Sequence, residues 1–175
     1  MHFCQTKIQG VFEIRLDLHE DERGFFSRAW CSKEYAENGL NPRLVQCSLS
    51  SNRQKGTLRG MHYQAVPHSE AKSVRVIRGA IYDVVLDLRP QSTTFRQWIG
   101  VTLTAANRDM VYIPEGCAHG FLTLEDDSEI FYQISEYYHP ESARGVRWND
   151  PAFGIDWPAQ PEIISERDRT FADFK

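Results

Sequence analysis

The sequence predicts an all-β protein, a jelly-roll sandwich or barrel of antiparallel strands with few short helices. Three observations carry this. Apolar residues recur in period two or in short β-branched runs; turn residues punctuate them; one stretch alone has helical start and stop signals. Phe12, Ile14, Leu16 and Leu18 alternate with Glu13, Arg15 and Asp17, as in a half-buried strand. Residues 74–77 and 80–88 form two β-rich stretches parted by Gly79. Residues 98–103, 110–113, 119–124 and 129–134 follow, separated by Arg89-Pro90, Ala106-Asn107-Arg108, Pro114-Glu115-Gly116 and Glu125-Asp126-Asp127. The helix is predicted with Ser32 as N-cap, a body over 33–38 and Gly39 just past its end. The last stretch carries Pro151, Pro158 and Pro161 and is irregular, yet Trp148, Phe153 and Trp157 predict that it wraps back onto a sheet.

At 175 residues the chain is expected to form one domain, residues 1–175, with a core that needs no disulfide staples. Hydrophobic residues at 41% and charged residues at 25% exclude a disordered chain. The net charge of −4 argues against a general nucleic-acid binder. The longest apolar run, 110–113, falls far short of a membrane span, and the first residues lack the apolar stretch of a secretory leader. Cys4, Cys31, Cys47 and Cys117 are scattered without a CxxC pair. Reduced thiols and a cytoplasmic location are expected.

The densest polar cluster is Gly56-Thr57-Leu58-Arg59-Gly60-Met61-His62-Tyr63-Gln64, with Lys72 shortly after. Strand alternation would put Arg59 on one face and His62 with Gln64 on the other. A second cluster, Pro114-Glu115-Gly116-Cys117-Ala118-His119, delivers a histidine from a tight turn. This turn resembles the second motif of the cupin superfamily. The first cupin motif supplies two histidines one residue apart and then a glutamate. Here those positions hold His62, Gln64 and Lys72. An ammonium repels a cation, so no metal is expected, and the absence of a Gly-x-Gly-x-x-Gly fingerprint fits the expectation of no redox cofactor. What remains is a base, cations and a phenol. His62 can abstract a proton near neutral pH. Arg59 and Lys72 can polarise a carbonyl or hold phosphate. Tyr132, in a predicted barrel strand, can return a proton. Taken alone, the same residues fit a solvated strand edge and a core tyrosine with a bonded hydroxyl.

Beyond these, the chain resembles the dTDP-4-dehydrorhamnose 3,5-epimerase family, cofactor-free epimerases of nucleotide sugars. The matching stretches are Asp21-Glu22-Arg23-Gly24-Phe25-Phe26, Gln46 with Ser50, the 55–64 cluster, Ala71-Lys72, and Arg78-Gly79-Ala80-Ile81-Tyr82-Asp83-Val84. Then come Ile113-Pro114-Glu115-Gly116, Ala118-His119-Gly120-Phe121, Tyr132, Trp148-Asn149-Asp150-Pro151, Ile155-Asp156-Trp157-Pro158 and Ser165-Glu166-Arg167-Asp168. The resemblance implies a cupin-type jelly roll, a homodimer with exchanged N-terminal strands, and a nucleotide-diphosphate 4-keto-6-deoxyhexose as substrate. It implies His62 as base oriented by Asp168, Tyr132 as acid on the opposite face, and Lys72 as the cation beside the C4 oxygen. Arg59 and His119 would line the pocket, with Asp83 behind His119. Arg23, Phe26 and Gln46 would hold the nucleotide and diphosphate, partly across the dimer, and Tyr138 is the second candidate acid.

The chain departs from the family pattern in two places. Ser27-Arg28 stand where a glutamate is usual, and Ser48 stands for an asparagine. Both lie at the expected nucleotide end, so the chemistry is better specified than the nucleotide. Inversion at C3 and C5 and inversion at one centre both fit these residues. Two other classes stay open at this level: a metal-dependent cupin isomerase or oxygenase, and a nucleotide-sugar-binding module without turnover.

Overall fold

A computed structural model describes residues 1–175. Its strands are β1 (His2–Gln5), β2 (Phe12–Arg15), β3 (His19–Asp21), β4 (Gly24–Phe26), β5 (Gln46–Asn52), β6 (Thr57–Gln64) and β7 (Lys72–Arg78). They continue as β8 (Ala80–Asp87), β9 (Trp98–Thr104), β10 (Met110–Ile113), β11 (Cys117–Thr123), β12 (Ser128–Ile134), β13 (Ala143–Gly145) and β14 (Ile163–Ile164). Two short helices, α1 (Ser32–Glu37) and α2 (Glu166–Arg169), complete the chain.

The strands form two sheets that pack face to face. The first runs β1-β2-β10-β7-β12-β5 and the second β13-β6-β11-β8-β9, with β14 joined to β6. Neighbours are antiparallel except at β14. The hairpin β3–β4 belongs to neither sheet. The predicted break at Gly79 is a corner, where the chain leaves the first sheet in β7 and enters the second in β8. Gly79 has φ +75°, and an added Cβ would sit 2.4 Å from Ser128 Oγ, so the corner requires glycine.

Between the sheets lie Val74, Val76 and Ile130 from the first and Ile81, Val85, Leu103 and Phe121 from the second. Each such side chain gains about 1.5–3 kcal/mol from burial. This apolar packing gives way along the strands. Val76, Val74 and Lys72 share one face of β7, and Ile130, Tyr132 and Ile134 share one face of β12. One end of the sandwich is therefore packed, and the other is lined by polar side chains around a cavity. A second cluster seats Tyr35 of α1 on Ile14, Met110 and Tyr112. A third puts Val146 and Phe153 against Met61, Val84 and Leu86 on the outside of the second sheet, with Trp157 and Phe174 alongside. The proline-rich tail thus wraps back onto the sheet, as its tryptophans predicted.

Two local expectations are corrected. The α1 N-cap is Cys31, with extended backbone and no side-chain cap bond; Ser32 is already helical. Burial of Tyr35, rather than a cap, holds this one-and-a-half-turn helix in place. The strand expected over 12–18 stops at Arg15, because β10 pairs only as far as Ile14 and the first residue of β1, His2, lies opposite Arg15. No helix is long and apolar enough to cross a membrane.

Candidate active site

A cavity of about 660 Å³ opens between the sheets. His62, Arg59 and His119 line it from the second sheet, Lys72 and Tyr132 from the first, and Asp168 from α2. That volume lies within the range of small-molecule sites, roughly 300–1,000 Å³.

Simple alternation separated Arg59 from His62, and this is overturned. His119 pairs with His62 while Phe121 pairs with Arg59, so β6 carries one residue more than β11 across this interval. Such a bulge resets alternation and turns both side chains into the cavity. Strands β6 and β11 can approach closely here because Gly60 lies against Gly120; a Cβ on Gly60 would meet Gly120 Cα at 2.5 Å. Gln64 keeps the predicted side but serves a fold role. Its amide donates to the carbonyls of His68 (3.0 Å) and Tyr137 (3.1 Å) and accepts from His139 N–H (2.7 Å).

His62 Nε2 lies 2.7 Å from Asp168 Oδ1, and the Gly60 amide donates to Asp168 Oδ2 at 3.1 Å. Ser165 caps α2 by accepting from the Asp168 amide at 3.1 Å, which fixes where this carboxylate starts. Burial alone would raise the Asp168 pKa. The hydrogen bond and charge of His62, with the Gly60 amide, outweigh it and hold the carboxyl below its ordinary value. The remaining His62 nitrogen is the one available to take a proton. A second pair stands beside it: His119 Nε2 to Asp83 Oδ1, 2.6 Å, both buried. Asp83 Oδ2 is buried without a partner. The Tyr132 ring sits edge-on to His119 with centroids 6.1 Å apart. Burial, then the charge of Asp83, drives the Tyr132 phenol far above its ordinary value, with Arg59 opposing. Tyr132 therefore keeps its proton at neutral pH.

Cations ring the same space. Arg59 Nε donates to Asn52 Oδ1 at 2.7 Å, which aims the guanidinium. Lys72 Nζ is 2.5 Å from Glu70 Oε1. Arg167 also lines the cavity, as do Ser48 and Ser50 of β5. Arg167, Asn52 and Glu70 were missed as site residues. Arg167 stood within the matched 165–168 stretch, and Glu70 two residues before Lys72, so both left a trace in the sequence. In the cavity both imidazoles direct Nε2 to their own carboxylate rather than to a shared point, and an ammonium occupies the third position. This donor set fits proton transfer and does not fit a metal centre. The one cluster with metal-ligand composition, His68, His139 and Glu141, lies outside the cavity. Its two rings stack at 3.5 Å and 9°, so their nitrogens cannot both lie in-plane with one ion.

Four expected residues lie away from the cavity within this chain. Arg23 and Phe26 belong to the β3–β4 hairpin, where Arg23 pairs with Asp21 and Phe26 is 75% exposed. Gln46 accepts from the Tyr138 amide at 2.7 Å, and Tyr138 is exposed. Arg28 is ion-paired with Glu34 at 3.2 Å. Strand β1 pairs with β2 of its own chain.

Comparison with known proteins places this chain in a family. A family model described as dTDP-4-dehydrorhamnose 3,5-epimerase matches residues 5–175. A dTDP-4-dehydrorhamnose 3,5-epimerase of Methanothermobacter thermautotrophicus is 44% identical over 172 residues, covering 97% of this chain and 92% of the relative. The dTDP-6-deoxy-D-glucose-3,5-epimerase of Legionella pneumophila, solved with dTDP-4-keto-L-rhamnose, superimposes with a TM-score of 0.89 at 39% identity, covering 95% of this chain and 89% of that one. A 3'-monoepimerase of Streptomyces bikiniensis, solved with dTDP-quinovose, gives 0.86 at 32% identity, covering 94% and 84%. The fold is the cupin-like jelly roll of these enzymes, and the chain belongs to the dTDP-4-dehydrorhamnose 3,5-epimerase family.

Proposed function

We propose that residues 1–175 act as one domain that inverts C3 and C5 of a dTDP-linked 4-keto-6-deoxyhexose in two successive rounds, each a proton abstraction and a reprotonation through an enolate. A hydrogen α to a ketone is weakly acidic. His62 takes it as a proton, and the C–H electron pair moves through the new C=C bond onto the C4 oxygen. Asp168 stabilises the imidazolium so formed and holds the ring, as in other carboxylate–histidine pairs. Lys72 stabilises the oxyanion; a preorganised donor of this kind is worth about 10²–10³ in rate. Tyr132 gives its proton from the opposite face, the oxyanion pair returns to C=O, and the carbon is inverted. Tyr132 recovers its proton from solvent, and His62 releases one. No hydride moves, so the sequence of steps needs no redox cofactor.

The observation that carries this reading is that the His62–Asp168 pair and Tyr132 line one cavity from different sheets. A sugar ring seated between them would present one face to each. Arg59 and Arg167 are placed to meet the diphosphate, and His119 with Asp83 would bind the sugar hydroxyls. Arg23 and Phe26, on a hairpin joined to neither sheet, would reach the nucleotide of a second copy in a homodimer. In this arrangement β3–β4, rather than β1, is the exchanged piece.

The test is proton NMR of dTDP-4-keto-6-deoxyglucose in heavy water with the purified protein. Deuterium should enter at C3 and C5 with conversion to the L-configured sugar. Deuterium at C3 alone would assign single-centre inversion, the activity that the monoepimerase name carries. No deuterium at either carbon would overturn the reading.

A further inference from the structure

Lys72 carries the charge that the proposed chemistry needs, yet it does not stand alone. Its Nζ is 2.5 Å from Glu70 Oε1, with side-chain exposures of 9% and 12%. Lys72 lines both the main cavity and a small pocket behind it, whereas Glu70 lines neither. The carboxylate therefore grips the ammonium at the wall of the cavity rather than competing within it. Glu70 is itself rigidly placed. Its neighbour Ala71 donates to Ser135 Oγ at 2.8 Å, and the Ser135 amide donates to the Ala71 carbonyl at 2.9 Å. This clamp ties the start of β7 to the end of β12, the strand that carries Tyr132.

We infer that Glu70 is a positioning residue that fixes the reach and direction of the Lys72 ammonium toward the C4 oxygen. The inference rests on the epimerase reading above. A free lysine ammonium on a four-carbon stem samples many rotamers, and an oxyanion donor works only when held where charge develops. An acidic partner at bonding distance removes that freedom. The other carboxylates of the site are engaged elsewhere: Asp168 and Asp83 are each bonded to their own histidine. Arg59 and Arg167 repel the ammonium.

The experiment compares Glu70→Ala, Glu70→Gln, Lys72→Ala and the double Glu70→Ala/Lys72→Ala variant, reading solvent-deuterium exchange, kcat, KM and Tm. Glu70→Ala should lower kcat and exchange about 10- to 100-fold while KM changes less than about threefold. Glu70→Gln, whose amide oxygen still accepts from Nζ, should recover most of the loss. In the Lys72→Ala background, Glu70→Ala should cost nothing further. Wild-type kcat in Glu70→Ala, or losses that multiply in the double variant, would overturn the inference. So would equal losses in Ala and Gln that follow Tm. Failure of the wild-type protein itself to exchange deuterium would instead remove the epimerase reading.

Discussion

Replacing Asp168 by Asn tests the proposed base most directly. In the native site one carboxylate oxygen faces His62 Nε2 at 2.7 Å and the other accepts the Gly60 amide at 3.1 Å. Asparagine keeps the size but removes the charge and offers one acceptor where two are used. When His62 takes the substrate proton it becomes a cation. Two opposite charges about 4 Å apart at an effective dielectric near 20 attract by about 4 kcal/mol. The His62 side chain is 41% exposed, so screening reduces that to about 2 kcal/mol. The lost attraction alone slows proton abstraction about 30-fold. Misorientation of the ring, because Asn must turn its amide nitrogen toward either His62 or Gly60, extends the loss toward about 10³-fold. One buried donor without an acceptor also costs stability, about 1–3 kcal/mol. The assay is deuterium exchange at C3 and C5 by NMR under saturating substrate, with Tm and dTDP affinity measured alongside. Exchange within threefold of wild type, in a protein that still binds dTDP, would refute the role given to the pair.

Three further outcomes follow from the same geometry. Tyr132→Phe should depress epimer formation more than deuterium exchange, because the proton still leaves through His62 but has no donor on the far face; equal loss of both would place the acid elsewhere. Asp87, whose side chain is fully buried, is opposed by burial but held at about 2 by Arg89, Ser92 and Thr94, against an ordinary 3.8. A depressed carboxylate stabilises the fold above its ordinary value and loses that contribution as pH falls through the depressed one. Stability should therefore drop by about 2 kcal/mol between pH 4 and pH 2, and Asp87→Asn should flatten that slope in denaturant titrations. Of the thiols, exposed Cys4 and Cys47 should react readily with a thiol reagent. Cys117, buried and pushed up to about 12 by that burial, should react only on unfolding, so native labelling of Cys117 would contradict the packing.

How far the sequence could be read depended on whether a residue's environment was local. Strand β10 has the bounds its apolar run and flanking turns predicted, because period and turn chemistry act over a few residues. Strand β5 left no such signal. Its inward positions include Ser48 and Ser50, polar because they line the cavity, so the pattern that marks a half-buried strand is missing where the strand serves the site. The β3–β4 hairpin is wholly exposed, and its Phe25 and Phe26 join no core cluster, so the in–out pattern of a half-buried strand is missing there too. Arg59 was misplaced for a non-local reason: the extra residue in β6 is defined only by its register against β11, about sixty residues away. Glu70 was visible as a charge two residues from Lys72, but nothing short of the fold shows that both are buried together.

The two-sheet architecture also bears on how one active site can serve two carbons. Facing sheets pack about 10 Å apart, which fixes the separation of groups that project from each. His62 and Tyr132 project from different sheets, so their spacing is set by inter-sheet packing rather than by a flexible loop. The apolar core just below them, with Val74, Ile130 and Phe121, resists both collapse and widening of that gap. C3 and C5 flank the same carbonyl carbon, so a modest turn of the sugar about the C4 oxygen exchanges one for the other between a fixed base and a fixed acid. The pivot of that turn is the oxygen beside Lys72. A lysine held firmly by Glu70 would keep the pivot in place through both transfers, whereas a loose one would let the second carbon miss the base. On this argument, weakening the Glu70–Lys72 pair should impair the second inversion more than the first, and singly inverted sugar should accumulate in Glu70→Ala. Equal loss at both carbons would detach the pair from the pivot.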